Sequence, residues 1–339
     1  MFQKMTRFFK QKKTWWAELS PYLKKARECG KTLKPIAKAK NKISDSDILL
    51  FVTVKDELHR MNYFIDYYRN LGVKRFYIVD NGSSDGTLEF LSKQHDVTCY
   101  VTHQGYKDSN FGMHWLNYLL RKYGKGHWCI TCDPDEFIVY PYMESRKLKD
   151  LISYLESIQQ RSFFTVMLDM YSDKPISETY YTSGDSPLDA CPYFDGTGYS
   201  KQYNHNYRNL FVQGGVRRRV FAKEQPETAP ALNKVPLVKW KWNYVYISSM
   251  HMMLPRVLNR CVDDRIVTGA LLHFKFINQL NDKVKTELEA KQHYNDSAEY
   301  KQYGDIINKK DILYDNQVSV KFSGWEDLRQ RGIINVEGW

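Results

Sequence analysis

The sequence lacks the segments that carry proteins into or across membranes. No stretch of about 20 apolar residues is present, which excludes a membrane-spanning helix. Residues 1–20 also lack the apolar run of a secretory signal peptide. The sequence therefore predicts a protein that is neither exported through such a signal nor embedded in a bilayer.

Cysteine is sparse and irregularly placed. The six cysteines show no spacing typical of a disulfide framework, which favours a reducing compartment. Cys129 and Cys132 form one C-x-x-C, but they lie within an apolar run and no second pair accompanies them. We interpret both as core residues, with a structural zinc site as the alternative.

Two glycine-rich motifs that bind phosphates are also missing. No G-x-G-x-x-G follows the first predicted strand, and no G-x-x-x-x-G-K occurs in the chain. A substrate that carries phosphates would therefore have to be bound through a metal ion or through cationic side chains.

Net charge is confined to the beginning of the chain. Residues 1–42 hold 13 Lys and Arg against 2 Asp and Glu, whereas the rest holds 37 residues of each sign. A nucleic-acid-binding domain usually carries its basic patch on the folded body, so no nucleic-acid ligand is predicted. Cations and aromatic residues at roughly helical spacing within residues 1–42 are typical of an amphipathic segment on an anionic membrane surface. A helix packed on the domain and a disordered tail are the alternatives.

From residue 46 onward, apolar runs alternate with amphipathic segments. Predicted strands are Ile48–Val54, Arg75–Asp80, Val97–Thr102 and the segment from Trp128, and predicted helices are Asp56–Leu71, a segment through Leu91 and residues 108–122. This alternation with short connections predicts an α/β fold with a doubly wound, mostly parallel, Rossmann-like sheet. We divide the chain into a basic leader (residues 1–45), the α/β domain (46–280) and a helical C-terminal appendage (281–339).

The second half of the domain is less regular. A helix around Leu148–Ile158 and a strand over Phe163–Met170 are followed by residues 172–210, which we predict to be an irregular functional loop. Gly214–Phe221 reads as a strand with basic flanks. Further strands are predicted at Leu237–Trp240, Tyr244–Ser248 and Ala270–Phe276, and a helix at Lys283–Gln302.

Acidic residues follow three predicted strands. Asp56 and Glu57 follow the first, Asp80 ends the second, and Asp133 and Asp135 follow the fourth. Because parallel strands end at one edge of a sheet, one crevice is expected to collect these carboxylates.

The Asp133-Pro134-Asp135 sequence predicts a metal site. Pro134 favours an extended backbone at Asp133, and residues two apart in an extended chain project to the same side. Asp133 and Asp135 are therefore expected to converge on a divalent cation, while Asp80 accepts hydrogen bonds from a base or ribose. A solvated acidic turn is the alternative.

Four motifs together resemble a known family. They are Val54–Glu57, Tyr67–Val73, Val79–Thr87 (VDNGSSDGT) and Cys132–Phe137 (CDPDEF). In this order and spacing the chain resembles bacterial family 2-type glycosyltransferases of the GT-A fold, closely over residues 46–140. Asp56 stands where that pattern usually has Asn.

The resemblance implies a nucleotide-sugar donor, with a UDP-sugar expected, and Mn²⁺ or Mg²⁺. It places Asp80 near the base or ribose and the two aspartates Asp133 and Asp135 on ribose, metal and diphosphate. The implied donor-binding residues are Asp56, Glu57, Asp80, Asp133, Lys275 and Arg217. The implied metal ligands are Asp133, Asp135 and His273, with His251 as the rival of His273. Arg218 and Arg219 follow Arg217 and could likewise neutralise a diphosphate or an anionic acceptor. Alternation along a strand would turn Arg218 to the other face.

An inverting reaction also needs a carboxylate base, which the family supplies from a position beyond the Asp133-Pro134-Asp135 motif. Asp169 and Asp173 are our candidates, and Asp185, Asp189 and Asp195 are alternatives.

Taken together, these features predict a metal-dependent, inverting glycosyltransferase acting on a cell-surface polysaccharide or a lipid-linked acceptor. Its leader would hold it peripherally on the cytoplasmic face of the cell membrane. One alternative is a haloacid-dehalogenase-like phosphotransferase, which Glu136 and Phe137 disfavour because that class has a small turn residue and Thr there. The other is a catalytically degenerate GT-A domain that acts as a sugar-binding or scaffolding subunit.

Overall fold

The computed structural model describes residues 2–260, 266–280, 284, 303–304 and 312–339, with side chains from Trp16 onward. Its helices are α1 (Phe2–Gly30), α2 (Leu58–Asn70), α3 (Thr87–Ser92), α4 (Met113–Leu119), α5 (Leu148–Ser157), α6 (Pro187–Ala190) and α7 (Trp325–Gln330). Its strands are β1 (Lys34–Ala37), β2 (Ile48–Val54), β3 (Val73–Asp80), β4 (Val97–Val101), β5 (Trp128–Thr131), β6 (Glu136–Val139), β7 (Ser162–Asp169), β8 (Tyr193–Asp195), β9 (Ser200–Asn204), β10 (Asn209–Gln213), β11 (Asn233–Lys239), β12 (Val245–Ser248), β13 (Met252–Leu254), β14 (Gly269–His273) and β15 (Ser319–Lys321).

One nine-stranded sheet organises the fold, in the order β1-β4-β3-β2-β5-β11-β7-β14-β6. The strands β2, β3, β4, β5, β7 and β14 run in one direction, and β1, β11 and β6 run against them. The predicted α/β class with a mostly parallel central sheet is therefore confirmed. The ends of the six codirectional strands define what we call the carboxyl edge.

Helices cover both faces of the sheet, as the continuous apolar strands require. Within β2, Leu50 and Val52 belong to a core shared with α2, α3 and α5, whereas Leu49 and Phe51 belong to a core shared with α1 and α4. Alternate side chains of one strand thus pack into two separate cores, one on each face of the sheet. Cys129 and Cys132 are buried free thiols, as predicted for core residues.

The leader is part of this body from Trp16 onward. Leu19, Ala26 and Cys29 are buried, and β1 pairs with β4 at the edge of the main sheet. The packed-helix alternative therefore holds for this half of α1, and the predicted boundary at residue 45 is wrong because β1 belongs to the sheet. No helix among the described residues combines the length and apolarity needed to cross a bilayer.

Two predictions about the second half are wrong. Residues 172–210 contain α6, β8 and β9, so they are not an irregular loop. The predicted strand Gly214–Phe221 is a helical turn of the π type over Arg217–Phe221. Gly215 has φ +63°, a conformation that bends the chain out of an extended path.

The described C-terminal residues also belong to the body. β15 pairs with β8, and Trp325, Leu328 and Ile333 lie in the core that contains α2. The described residues within 281–339 therefore pack into the body and do not form the separate appendage that the sequence predicted. Apart from Val284, the predicted helix Lys283–Gln302 lies outside the described residues.

Candidate active site

Strand pairing gathers polar residues at the carboxyl edge. β14 runs parallel to β7 and sets His273 beside Asp169, and it runs antiparallel to β6 and sets His273 opposite Glu136. β6 begins directly after the Asp133-Pro134-Asp135 turn. The register therefore brings together residues that are more than 100 positions apart.

A continuous chain of charged contacts runs through His273. Its Nε2 lies 3.3 Å from Asp135 Oδ2, and its Nδ1 lies 2.6 Å from Asp169 Oδ1. Asp169 Oδ2 in turn accepts a hydrogen bond from Arg217 Nε at 2.8 Å. The side chain of Asp169 is fully buried, so among the described residues its charge is balanced by these two partners rather than by bulk water.

These contacts shift the protonation equilibria of both central groups. Burial opposes the charged form of Asp169, but Arg217 and His273 outweigh it and lower the pKa of Asp169 to about 2. Burial likewise opposes protonated His273, but Asp135 and Asp169 outweigh it and raise the pKa of His273 to about 9. At neutral pH the chain therefore holds a protonated imidazole between two carboxylates.

This arrangement predicts a pH dependence of stability. His273 has an unfolded pKa near 6.5 and a raised folded pKa, so its contribution is complete below pH 6.5 and declines toward pH 9. We expect the free energy of unfolding of the metal-free protein to fall over this interval, and His273→Gln to remove that part of the fall. Urea unfolding at several pH values measures it, with the exposed His205→Gln as control. An equal slope in His273→Gln and wild type would contradict the assignment.

Asp135 and His273 have the donor chemistry of a metal site. Asp169 holds Nδ1 of His273 and so directs Nε2 toward Asp135, which is how carboxylates orient metal-binding histidines. One carboxylate and one imidazole, completed by substrate phosphates, suit Mn²⁺ or Mg²⁺. No group of three or more such ligands is clustered among the described residues. The predicted third ligand, Asp133, is engaged elsewhere.

The partner of Asp133 is Lys234 on β11, which sequence reasoning missed. Lys234 Nζ lies 3.1 Å from Asp133 Oδ2 and 2.5 Å from Glu136 Oε1, and its side chain is almost fully buried. Burial opposes its charge, but Asp133 and Glu136 outweigh burial and raise the pKa of Lys234. Burial raises the pKa of Glu136 to about 7, which Lys234 opposes. A fixed ammonium therefore lies directly beneath the acidic turn.

Asp80 lies in a turn with one oxygen left over. Its Oδ1 accepts hydrogen bonds from the backbone N–H groups of Gly82 and Ser83, at 2.9 and 2.8 Å. Its Oδ2 is buried and has no hydrogen-bond partner among the described residues. A buried acceptor without a partner is costly, so this oxygen is suited to a donor on a ligand.

Asp56 and Glu57 do not present free carboxylates to this crevice. Asp56 has φ +53°, and its Oδ1 accepts hydrogen bonds from both the N–H and the hydroxyl of Ser84. Glu57 is buried against Arg60, with Oε2 at 2.8 Å from Nε. In the structure Asp56 shapes the turn and Glu57 holds Arg60, and their contact with a donor stays a prediction.

Arg60 is a second residue that sequence reasoning missed. It links Glu57 to Asp135, because its Nη1 lies 3.7 Å from Asp135 Oδ2. The same nitrogen donates to the carbonyl oxygen of Phe274. Its place on α2 among apolar positions was a usable signal, since a buried arginine needs a carboxylate partner.

The basic segment is used differently from the prediction. Arg217 binds buried Asp169, and Arg219 binds Asp195 with Nε–Oδ2 at 2.8 Å. Within the described part of the chain, Arg218 makes no ion pair, so it is the arginine of the three that remains available to an anion. Lys275 lies over the ring of Tyr303 at 4.6 Å from its centroid.

Among the proposed bases, the structure separates Asp169 from Asp173. Both oxygens of Asp169 are bound to cations, Oδ1 to His273 and Oδ2 to Arg217, so its contacts favour Asp173 over Asp169 as the base. Asp173 is exposed, four residues beyond the end of β7. Asp195 is buried against Arg219, and Asp185 and Asp189 are exposed in the segment around α6. His251 binds the carbonyl oxygen of Asn233 through Nδ1 at 2.7 Å.

A scan against protein-family models found no match to this chain, and a search of curated proteins found none either.

Proposed function

We propose that this chain is a metal-dependent glycosyltransferase of the GT-A type that uses a nucleotide-sugar donor. The observation that carries the proposal is the carboxyl edge itself. There, Asp135 directly before β6 meets an oriented His273 at the end of β14, Lys234 is buried against the neighbouring Glu136, and Asp80 at the end of β3 has an oxygen without a partner among the described residues. The four sequence motifs and the strand directions support the same assignment.

In this proposal each residue binds a different part of the donor. Asp80 Oδ2 accepts a hydrogen bond from the base or ribose, and Asp133, held by Lys234, faces the ribose with a side chain that is 40% exposed. Asp135 and His273 would hold Mn²⁺ or Mg²⁺. When bound, this ion would act as a Lewis acid that stabilises the charge of the leaving diphosphate. Arg218 lies on the neighbouring turn and adds a further positive charge.

The acceptor side follows from the stereochemistry of inversion. The acceptor hydroxyl oxygen forms the new bond to the anomeric carbon as the bond to the diphosphate oxygen breaks, and the hydroxyl proton passes to a base. Asp173 is the base in this proposal, because it is exposed at the carboxyl edge next to β7. Asp169 then acts as a positioning residue that fixes the imidazole of His273.

Hydrolysis of nucleotide-sugars with and without Mn²⁺ tests the proposal. An active transferase is expected to release the nucleoside diphosphate slowly from its own donor, because water can replace the acceptor. Hydrolysis that requires Mn²⁺ for one nucleotide-sugar supports the proposal. No hydrolysis of any nucleotide-sugar would favour the alternative of a degenerate, sugar-binding subunit.

The beginning of the chain supports attachment to a membrane surface. α1 is a continuous helix from Phe2, and thirteen cations lie within residues 1–42. Where α1 meets the body, Trp16 and Trp242 are 42% and 43% exposed, with ring centroids 5.8 Å apart. Exposed tryptophans beside cations suit the interface of an anionic leaflet. These features support our proposal that the protein acts on the cytoplasmic face of a cell membrane, on a polysaccharide or lipid-linked acceptor.

Deletion of residues 2–15 is expected to release the protein from vesicles rich in phosphatidylglycerol while donor hydrolysis is unchanged. The deletion stops at residue 15 because removal of residues 1–42 would also remove the buried Leu19 and strand β1. Cosedimentation measures the binding, and phosphatidylcholine vesicles are the control. If the shortened protein still binds the anionic vesicles, the first turns of α1 are not the anchor.

A further inference from the structure

An open cavity of about 500 Å³ lies on the hairpin formed by β9 and β10, outside the site described above. Its lining residues are Gln202, Tyr203, Asn204, His205, Asn206 and Phe211. Each of these side chains is either a carboxamide or a ring, and none carries a formal charge when His205 is neutral. The chemistry of this surface therefore differs from that of the carboxyl edge.

The hairpin presents these groups on a firm support. Gln202 pairs with Phe211 across the two strands, so their side chains share one face, whereas Tyr203 pairs with Leu210 and lines the cavity from the other face. The side chains of Leu210 and Val212 are buried in the core that contains α2, which fixes β10 to the body. All five residues of β9 are exposed, and Tyr203 and Phe211 are each 37% exposed. Large rings held in water by an anchored strand are suited to contact with a partner.

The combination of groups suits an uncharged carbohydrate. Carboxamides both donate and accept hydrogen bonds, as sugar hydroxyls require, and aromatic rings offer apolar faces to the C–H groups of a pyranose. Lys201 points its ammonium at the carbonyl oxygen of Gly332 and does not line the cavity. The volume lies within the usual range of small-molecule sites, about 300–1,000 Å³. The lining itself carries no fixed positive charge for an anionic partner, and Arg208, exposed in the turn of the hairpin, lies outside it.

The hairpin is continuous with the carboxyl edge. At its open end Ser200 pairs with Gln213, and Gly214 and Gly215 follow directly after Gln213. A Cβ atom at Gly214 would come within 2.6 Å of the Tyr199 ring, and one at Gly215 would lie 4.0 Å from Asp169 Oδ2. Five residues of extended chain span roughly 17 Å, so the cavity lies at that order of distance from the site. This suits a chain of sugars better than a single sugar.

We propose that the β9–β10 hairpin binds the neutral oligosaccharide chain of the acceptor and leads its end toward the carboxyl edge. The transfer of a sugar to that chain rests on the proposed function. The binding itself rests on the hairpin alone, so the two can fail separately.

The test is saturation-transfer NMR of the full chain with neutral hexasaccharides of the glucan, mannan, galactan, rhamnan and chitin series. At least one series is expected to bind the wild type. The double variant Tyr203→Ala/Phe211→Ala is expected to weaken that binding roughly tenfold or more, since central aromatic groups dominate such contacts. Tyr180→Ala is the matched control, because that ring is 71% exposed but lies outside the hairpin. Nucleotide-sugar hydrolysis by the double variant should equal that of the wild type.

Three results would overturn the proposal. These are no binding of any series to the wild type, equal binding to the double variant, or a change from dimer to monomer in sedimentation of the double variant, which would make a second copy of this chain the occupant. Binding through the hairpin without any nucleotide-sugar hydrolysis by the wild type would support the hairpin inference and contradict the proposed function.

Discussion

Asp135→Asn is expected to lower Mn²⁺-dependent hydrolysis of the donor by at least roughly 100-fold, while the protein stays folded. The substitution keeps the shape of the side chain but removes the charge that faces His273 Nε2 at 3.3 Å. Loss even of groups that orient metal ligands costs about 10–100-fold, and a ligand itself should cost at least as much. Steady-state hydrolysis across a series of Mn²⁺ concentrations measures the effect.

The design includes a matched carboxylate. Asp45→Asn removes an exposed carboxylate in the turn before β2 and is expected to leave hydrolysis unchanged. Melting temperatures of both variants establish that each is folded. Hydrolysis by Asp135→Asn within a factor of about two of the wild type would contradict the assignment of Asp135 to the metal.

Lys234→Met is expected to lower the free energy of unfolding by about 3–5 kcal/mol, because it leaves Glu136 and Asp133 without their shared cation. Glu136 is 1% exposed in its side chain, so water cannot replace the lost ammonium. Urea unfolding at neutral pH measures the change. Donor affinity should fall as well, because Asp133 loses the contact that holds it.

Lys239→Met provides the control on the same strand. Lys239 pairs with Glu156 at 3.2 Å, but Glu156 is half exposed, and a surface pair of this kind contributes less than about 1 kcal/mol. The double variant Lys234→Met/Glu136→Gln should recover much of the lost stability, because it removes the unpaired buried charge. A small effect of Lys234→Met would show that Lys234 does not neutralise the acidic turn.

Much of the sheet was predictable from the sequence because its signals are local. The continuous apolar run of β2 and the turn residues after Asp80 place both elements correctly, and the structure adds that Asp80 accepts the backbone hydrogen bonds of that turn. The expectation that Asp135 and His273 meet also agrees with the structure. For β2 and the turn, short-range pattern and strand direction together determine the position, whereas the meeting of Asp135 and His273 was expected from the family resemblance alone.

The remaining features depend on contacts between distant parts of the chain. Lys234 lies 101 residues from Asp133, and a lysine within an apolar strand gives no sign of its partner. Arg217 was assigned to the donor and Asp169, separately, to the base, and only the fold pairs them. The helical turn at Arg217–Phe221 replaces the predicted strand because the two buried carboxylates Asp169 and Asp195 hold its arginines. Burial and pairing at this range overrule local pattern.

Thermal stability with a panel of nucleotides and nucleotide-sugars, each with and without Mn²⁺, tests the donor site most directly. A ligand that binds only the folded state raises the melting temperature by mass action. We predict a rise for one nucleotide family, seen only when Mn²⁺ is present and reduced in Asp135→Asn. The absence of a rise for every ligand with Mn²⁺, or an equal rise without the metal, would contradict a metal-dependent nucleotide-sugar site at the carboxyl edge.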